Sequence, residues 1–135
     1  MKKYLVIGNP IDHSLSPKLH NYWFEKNNID ANYDKRKIIK SEIQKVISEI
    51  KDNKLDGINV TVPFKNEVIP FLDTLSEESK ITQSVNTIYL HDKKLVGHNT
   101  DIKGFELSLN ETQFNPQNKK VFILGAGAVS YTHLR

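Results

Sequence analysis

The sequence predicts an α/β fold: an N-terminal, mainly parallel sheet flanked by helices, followed by the first strand of a second domain. Two observations carry this. Short apolar runs of strand character alternate with segments whose apolar residues recur at helical spacing. A polar linker then leads to one more apolar run, which ends in Gly125-Ala126-Gly127.

Taken in order, residues 4–8 form the first strand and residues 9–16 a loop. Ser16 before Pro17 reads as an N-cap followed by proline in the first turn, so a helix starts there. Leu19, Tyr22 and Trp23 then fall on one helical face. Residues 31–39 are strand-like but charged, which suits an edge. Ser41 and Gln44 read as a capping box before Ile43, Val46, Ile47 and Ile50, the clearest helical stripe in the chain. Residues 57–62 return to strand character until Pro63 stops them, with Asn59 and Thr61 on one face and Val60 and Val62 on the other. Residues 64–84 read as two helical pieces broken at Pro70. Residues 85–90 and 95–98 flank a polar turn and predict a hairpin. A helix over about 100–109 follows, with Ile102, Phe105 and Leu109 aligned. Residues 111–119 form the linker, and 121–124 a last strand.

Composition narrows the function. The 135 residues suit about one compact domain, with 38% hydrophobic and 26% charged residues, a globular profile. The net charge of +3 is scattered rather than clustered with aromatics, which argues against nucleic acid. No apolar run approaches the ~20 residues of a membrane span. The absence of cysteine excludes disulfide scaffolds, thiol catalysis and cysteine-ligated zinc, and leaves the cytoplasm as the expected compartment. The five histidines have no metal-ligand spacing, so no metal site is expected.

Three polar clusters follow strand ends, where open α/β sheets bind ligands. The first holds Ser14 and Ser16 beside a helix N-terminus, a setting for an anionic oxygen such as a carboxylate, although Ser16 reads as readily as a plain helix cap. The second places Lys65 just beyond the polar strand face of Asn59 and Thr61; an ammonium there could donate a proton or polarise a carbonyl, or be an ordinary surface lysine. The third comprises Asn86-Thr87 and Asn99-Thr100-Asp101, in which Asp101 could pair with Lys65 or cap a helix. A fourth feature, Gly125-Ala126-Gly127 after a strand, reads as the start of a phosphate-binding turn, although Ser130 stands where the full G-x-G-x-x-G/A pattern has glycine or alanine.

The segments G-N-P-I-D-H-S-L-S-P from Gly8, N-V-T-V-P-F-K from Asn59, V-N-T from Val85 and N-T-D from Asn99 occur together and in order. With the G-A-G turn they resemble the shikimate dehydrogenase family over residues 4 to about 128. The resemblance implies NADPH-dependent, reversible reduction of 3-dehydroshikimate to shikimate in aromatic amino-acid and chorismate synthesis. It implies that Ser14 and Ser16 hold the substrate carboxylate, and that Thr61, Asn86 and Asp101 bind ring hydroxyls. Lys65 matches the catalytic lysine, Asp101 its acidic partner. Gly125, Ala126 and Gly127 match the start of the NADP diphosphate loop, and Glu77 a position sometimes assigned to cofactor contact. The family fold implies a substrate domain over 1–110, a linker over 111–119 and a truncated start of a Rossmann domain over 120–135. The stretch 129–135 does not resemble the family helix and reads as non-native, so the chain is expected to be an inactive fragment. A monomer or homodimer acting on a small molecule, without membrane or nucleic acid, is implied. A quinate/shikimate dehydrogenase using NAD or both cofactors, and a non-catalytic shikimate-binding module, are the alternative readings.

Overall fold

The structure is a computed structural model that describes residues 1–122, 124 and 125. Its centre is a six-stranded mixed sheet built from β1 (Lys2–Gly8), β2 (Ala31–Lys37), β3 (Gly57–Val60), β4 (Thr74–Leu75), β5 (Thr87–His91) and β6 (Lys94–His98), in the order β2-β1-β3-β5-β6-β4. The pairs β1/β2, β1/β3 and β4/β6 run parallel, whereas β3/β5 and β5/β6 run antiparallel. The expected parallel character therefore holds in the first half of the sheet. The hairpin also forms, tightened to Asp92 and Lys93, whose φ values of 48 and 62 are those a two-residue turn with right-handed strand twist requires.

One face of the sheet is closed by helix α2 (Ile43–Lys51). Its stripe of Ile43, Val46, Ile47 and Ile50 is buried with Leu5, Ile7, Ile58, Val60 and Ile88 in the main core. Full burial of each such side chain contributes about 1.5–3 kcal/mol. The cap of this helix differs from the sequence expectation. A 3-10 turn, Lys40–Glu42, precedes it, and the Glu42 carboxylate accepts the Ile39 N–H at 2.9 Å, in place of a Ser41/Gln44 box. The turn thus opens ahead of Ser41, and α2 itself begins without a side-chain cap.

The other face carries α1 (Ser16–Lys26) over β1 and β2, where Val6, Ile11 and Tyr33 form a smaller core with Tyr4 and Phe24. Here the predicted face is wrong. Leu19, Tyr22 and Trp23 are 46%, 52% and 47% exposed, and the helix turns His20 and Phe24 inward instead. The reason lies in β2. Tyr33 stacks on His20 with ring centroids 4.2 Å apart, and Asn21 both donates to the Tyr33 carbonyl and accepts its N–H, which together fix the helix's rotation.

Residues 64–84 depart from two helical pieces. They run through turns, a short 3-10 segment (Ile69–Phe71) around Pro70, strand β4 and helix α3 (Glu77–Thr82), which Ser76 caps by accepting the Ser79 N–H. Asp73 draws the segment onto the sheet: its carboxylate accepts the Leu95 N–H at 2.7 Å, and its own N–H donates to the Leu95 carbonyl. Strand β3 ends at Val60, and Val62 is 64% exposed rather than packed beside Val60. Helix α4 (Asp101–Glu111) follows β6 and half-buries Ile102, Phe105 and Leu109, as their spacing predicts. Beyond it, residues 112–122, 124 and 125 are in neither helix nor strand; Phe122 and Leu124 are 91% and 90% exposed. Ile123 and residues 126–135, with the rest of the glycine turn, lie outside the described residues.

Candidate active site

The polar clusters meet because of strand direction. β1, β3 and β6 end at the same edge of the sheet at which the antiparallel β5 begins. The loops after β1, β3 and β6 and the residue before β5 therefore converge on one groove of about 1110 Å³, which Ser16, Thr61, Lys65, Asn86 and Asp101 help to line. Its floor is the sheet face carrying Asn59 and Thr87, and one wall is the inner side of α1.

Lys65 Nζ donates to Asp101 Oδ2 at 2.6 Å, and both side chains are only about a quarter exposed, at 29% and 25%. The Lys65 loop is fixed by its carbonyl, which accepts the Val85 N–H at 2.7 Å. Asp101 opens α4, where the helix dipole favours a negative charge, and its N–H donates to the buried Asn99 side chain at 2.9 Å. Asn86, 8% exposed, is the hub. Its Nδ2 donates to Asp101 Oδ1 at 2.9 Å and to Thr100 Oγ1 at 2.8 Å, while its Oδ1 accepts from the Thr100 N–H and the Thr87 hydroxyl. Among the described residues no buried side-chain polar atom lacks a partner, so the network is fully satisfied.

The first cluster divides. Ser14 Oγ accepts the Ser16 N–H at 3.3 Å and so serves the helix terminus, while Ser16 itself lines the groove. The helix terminus expected to rest on Ser16 is thus served by Ser14, two residues earlier, and Ser16 lines the groove together with Tyr33. Tyr33 was not among the expected site residues. Burial pushes its phenol far above the ordinary range, opposed by Ser16, and its hydroxyl donates to Asn59 Oδ1 at 2.6 Å. The signal was a single aromatic inside an otherwise charged edge strand. His20, stacked on it, is held below its ordinary pKa by burial.

The residues matched to the cofactor do not gather here. Glu77 is exposed and paired with Lys80 at 2.6 Å, away from the groove lining. Gly125 has a φ of +118, the backbone a glycine turn uses, but nothing stands within 4 Å of the place its Cβ would take. Ala126 and Gly127 lie outside the described residues. The described residues thus do not build a dinucleotide cradle. No group of three or more His, Asp or Glu side chains among them is placed to hold a metal ion, and no helix among them is long and apolar enough to cross a membrane.

Comparison with known proteins identifies the family to which this fold belongs. Residues 6–88 match the family model described as the shikimate dehydrogenase substrate binding domain. A "Shikimate dehydrogenase (NADP(+))" of Pelagibacter ubique is 60% identical over 128 residues, which are 95% of this chain and 48% of the relative. The corresponding protein of Clostridium beijerinckii is 41% identical over 130 residues, 96% of this chain and 48% of its own length. The crystal structure of shikimate dehydrogenase 1 from Peptoclostridium difficile superposes with a TM-score of 0.91 at 36% identity, covering 99% of this chain and 51% of that one. The Thermus thermophilus enzyme in complex with shikimate gives 0.89 at 28% identity, covering 98% and 51%. The chain spans about half the length of the curated relatives it matches. It belongs to the shikimate dehydrogenase family, whose substrate binding domain it carries.

Proposed function

We propose that the groove binds shikimate and 3-dehydroshikimate, and that the natural protein interconverts them with NADP in the cytoplasm, as a monomer or homodimer. The observation that carries this reading is the Lys65/Asp101 pair at 2.6 Å, locked by Asn86 in a groove that also presents Ser16 and Thr61. NADP, when bound, supplies or takes up the hydride at the ring carbon. The residues of this chain handle the oxygen of that carbon. In reduction the carbonyl oxygen gains negative charge and then a proton; Lys65 holds that proton and faces the charge as it develops, where stabilisation lowers the barrier most. In oxidation the same amine takes the proton back. Asp101 keeps the ammonium aimed into the groove, and the Asn86 bond to its other oxygen stops the carboxylate from turning. Thr61, Asn86 and Asp101 offer the mixed donors and acceptors that ring hydroxyls need. Ser16, at the N-terminus of α1, suits the carboxylate, since a hydroxyl and helix-end amides can donate to an anion together. Ser14 supports that end of the helix.

Steady-state oxidation of shikimate by the natural protein and its Lys65→Met variant tests the reading. The variant is expected to lose about 10²–10⁴ in kcat with little change in KM, the pattern for a group acting mainly in the transition state. Retention of more than half the kcat would remove Lys65 from the chemistry.

A further inference from the structure

Asn99 opens the N-T-D segment but does not line the groove, and at 1% exposure it is closed to any substrate. Its amide instead completes a circuit of hydrogen bonds around the Lys65/Asp101 pair. Asn99 Oδ1 accepts the Asp101 N–H at 2.9 Å, the turn that an asparagine side chain makes with the backbone two residues on. Asn99 Nδ2 donates to the Ser84 carbonyl at 3.0 Å. The next residue, Val85, donates its N–H to the Lys65 carbonyl at 2.7 Å, and Lys65 Nζ returns to Asp101 Oδ2 at 2.6 Å. Both members of the pair are thus fastened, one through Asn99 and one directly, to neighbouring residues of a single buried segment.

We infer that Asn99 is a positioning residue for the Lys65/Asp101 pair: it fixes the first turn of α4 against the Ser84 carbonyl, so that the Asp101 carboxylate stands within reach of the Lys65 ammonium. This rests on the reading of the groove as the shikimate site. Asn86 grips the carboxylate and the Thr100 N–H, and Asn99 grips the N–H of Asp101 itself, so the two amides restrain different parts of one junction. The partners of Asn99 dictate the residue type. The Ser84 carbonyl can only accept and the Asp101 N–H can only donate, so the side chain between them must carry a donor and an acceptor on one short, flat group. A carboxylate offers no donor and an apolar side chain offers neither. A protonated carboxyl group has the same shape as the amide and offers both. Without the amide, Asn86 remains as the side-chain anchor at the start of α4, and the competent placement of Asp101 falls to between about a third and a tenth of the population.

The test is the shikimate affinity of the 135-residue chain and its Asn99→Leu and Asn99→Asp variants, measured by titration calorimetry. Each is titrated at about pH 5.5 and at about pH 8, on either side of the raised range expected for a buried carboxyl group. Asn99→Leu keeps the size of the side chain and removes both donor and acceptor; it is expected to bind about three- to tenfold more weakly at both pH values. Asn99→Asp, ionised at the higher pH, faces the Ser84 carbonyl without a donor and is expected to be weakened at least as much. Protonated at the lower pH, its carboxyl group restores donor and acceptor, and affinity is expected to return to within about twofold of the unsubstituted chain. Comparing the proteins at the same pH removes the titration of groups they share, Glu78, His20, His98 and Asp101. A merely structural Asn99 would lower the melting temperature and leave the affinity of the folded variants unchanged. Unchanged affinity in folded Asn99→Leu, or no recovery of Asn99→Asp at the lower pH, overturns the inference and leaves the site reading standing. Failure of the unsubstituted chain to bind shikimate overturns both. Should Asn99→Leu not fold, Asn99→Asp decides over the pH range in which circular dichroism shows it folded. There, affinity that falls relative to the unsubstituted chain as pH rises supports the inference, and affinity that runs parallel to it overturns the inference.

Discussion

Replacing Asn86 with alanine should unfasten the site and the fold together. The side chain is 8% exposed and makes four hydrogen bonds that tie the start of β5 to the β6/α4 junction. Each of the three neutral bonds carries about 0.5–1.5 kcal/mol net, and the one to the Asp101 carboxylate about 1.5–3 kcal/mol. Their sum overshoots, since water in the open groove takes over part of what is lost, so the expected destabilisation is about 2–4 kcal/mol. For a folded unit of this size that lowers the melting temperature by about 10–20 °C. Denaturant titration followed by circular dichroism measures it, with the slope unchanged if only the folded state is affected. The same variant should lose shikimate binding below its melting temperature, because Asp101 is then free to rotate away from Lys65. A loss of stability under about 0.5 kcal/mol would refute the reasoning that Asn86 is the hub of the network.

Other consequences separate structural from binding roles. Ser14→Ala should cost about 1 kcal/mol of stability, the worth of a helix-terminal acceptor, with shikimate affinity nearly unchanged, whereas Ser16→Ala should weaken affinity about tenfold and spare stability; calorimetry and thermal melts on both variants check this. Gly8→Ala would place a Cβ 2.5 Å from Thr61 Cγ2 and 3.1 Å from the Val62 carbonyl, so a destabilisation of about 1–3 kcal/mol and displaced Thr61 binding are expected, readable by melting and titration. Burial lowers the pKa of His20 in the folded state, so the unfolded chain binds the proton more readily. Its contribution is therefore complete above the unfolded value of about 6.5 and is lost as pH falls from there through the lowered folded value. Melting temperatures from pH 7.5 down to 5 should fall less steeply in His20→Phe than in the unsubstituted protein.

Much of this was legible from local pattern. The stripe of α2 and the hairpin around Asp92 and Lys93 were visible because their determinants sit within a few residues of one another. The pairing of Lys65 with Asp101 was open to suggestion as a juxtaposition of polar strand ends, and the resemblance to a family sharpened it. What escaped depended on distant partners. The outward face of α1 violates its own apolar pattern because Tyr33 and His20 stack on the inner side, a contact across 13 positions of sequence that spacing along one helix does not reveal. The expected Ser41/Gln44 box does not form because a 3-10 turn opens ahead of α2, with the Glu42 carboxylate accepting the Ile39 N–H. The helical reading of 64–84 gave way because Asp73 and Leu95 exchange hydrogen bonds between segments far apart in the chain. Tyr33 escaped for the same reason: its strand marks it only as a lone aromatic among charges, and its bond to Asn59 joins segments 26 positions apart.

The central claim is that one groove, organised by Asn86, Lys65 and Asp101, recognises shikimate. Equilibrium titration of the 135-residue chain with shikimate, beside its Asp101→Asn variant, tests it most directly. The account predicts saturable binding at one site by the unsubstituted chain and an affinity at least tenfold weaker in Asp101→Asn, since that isosteric change removes the charge from the Lys65 pair. Absence of saturable binding, or equal affinity in the two proteins, would contradict it.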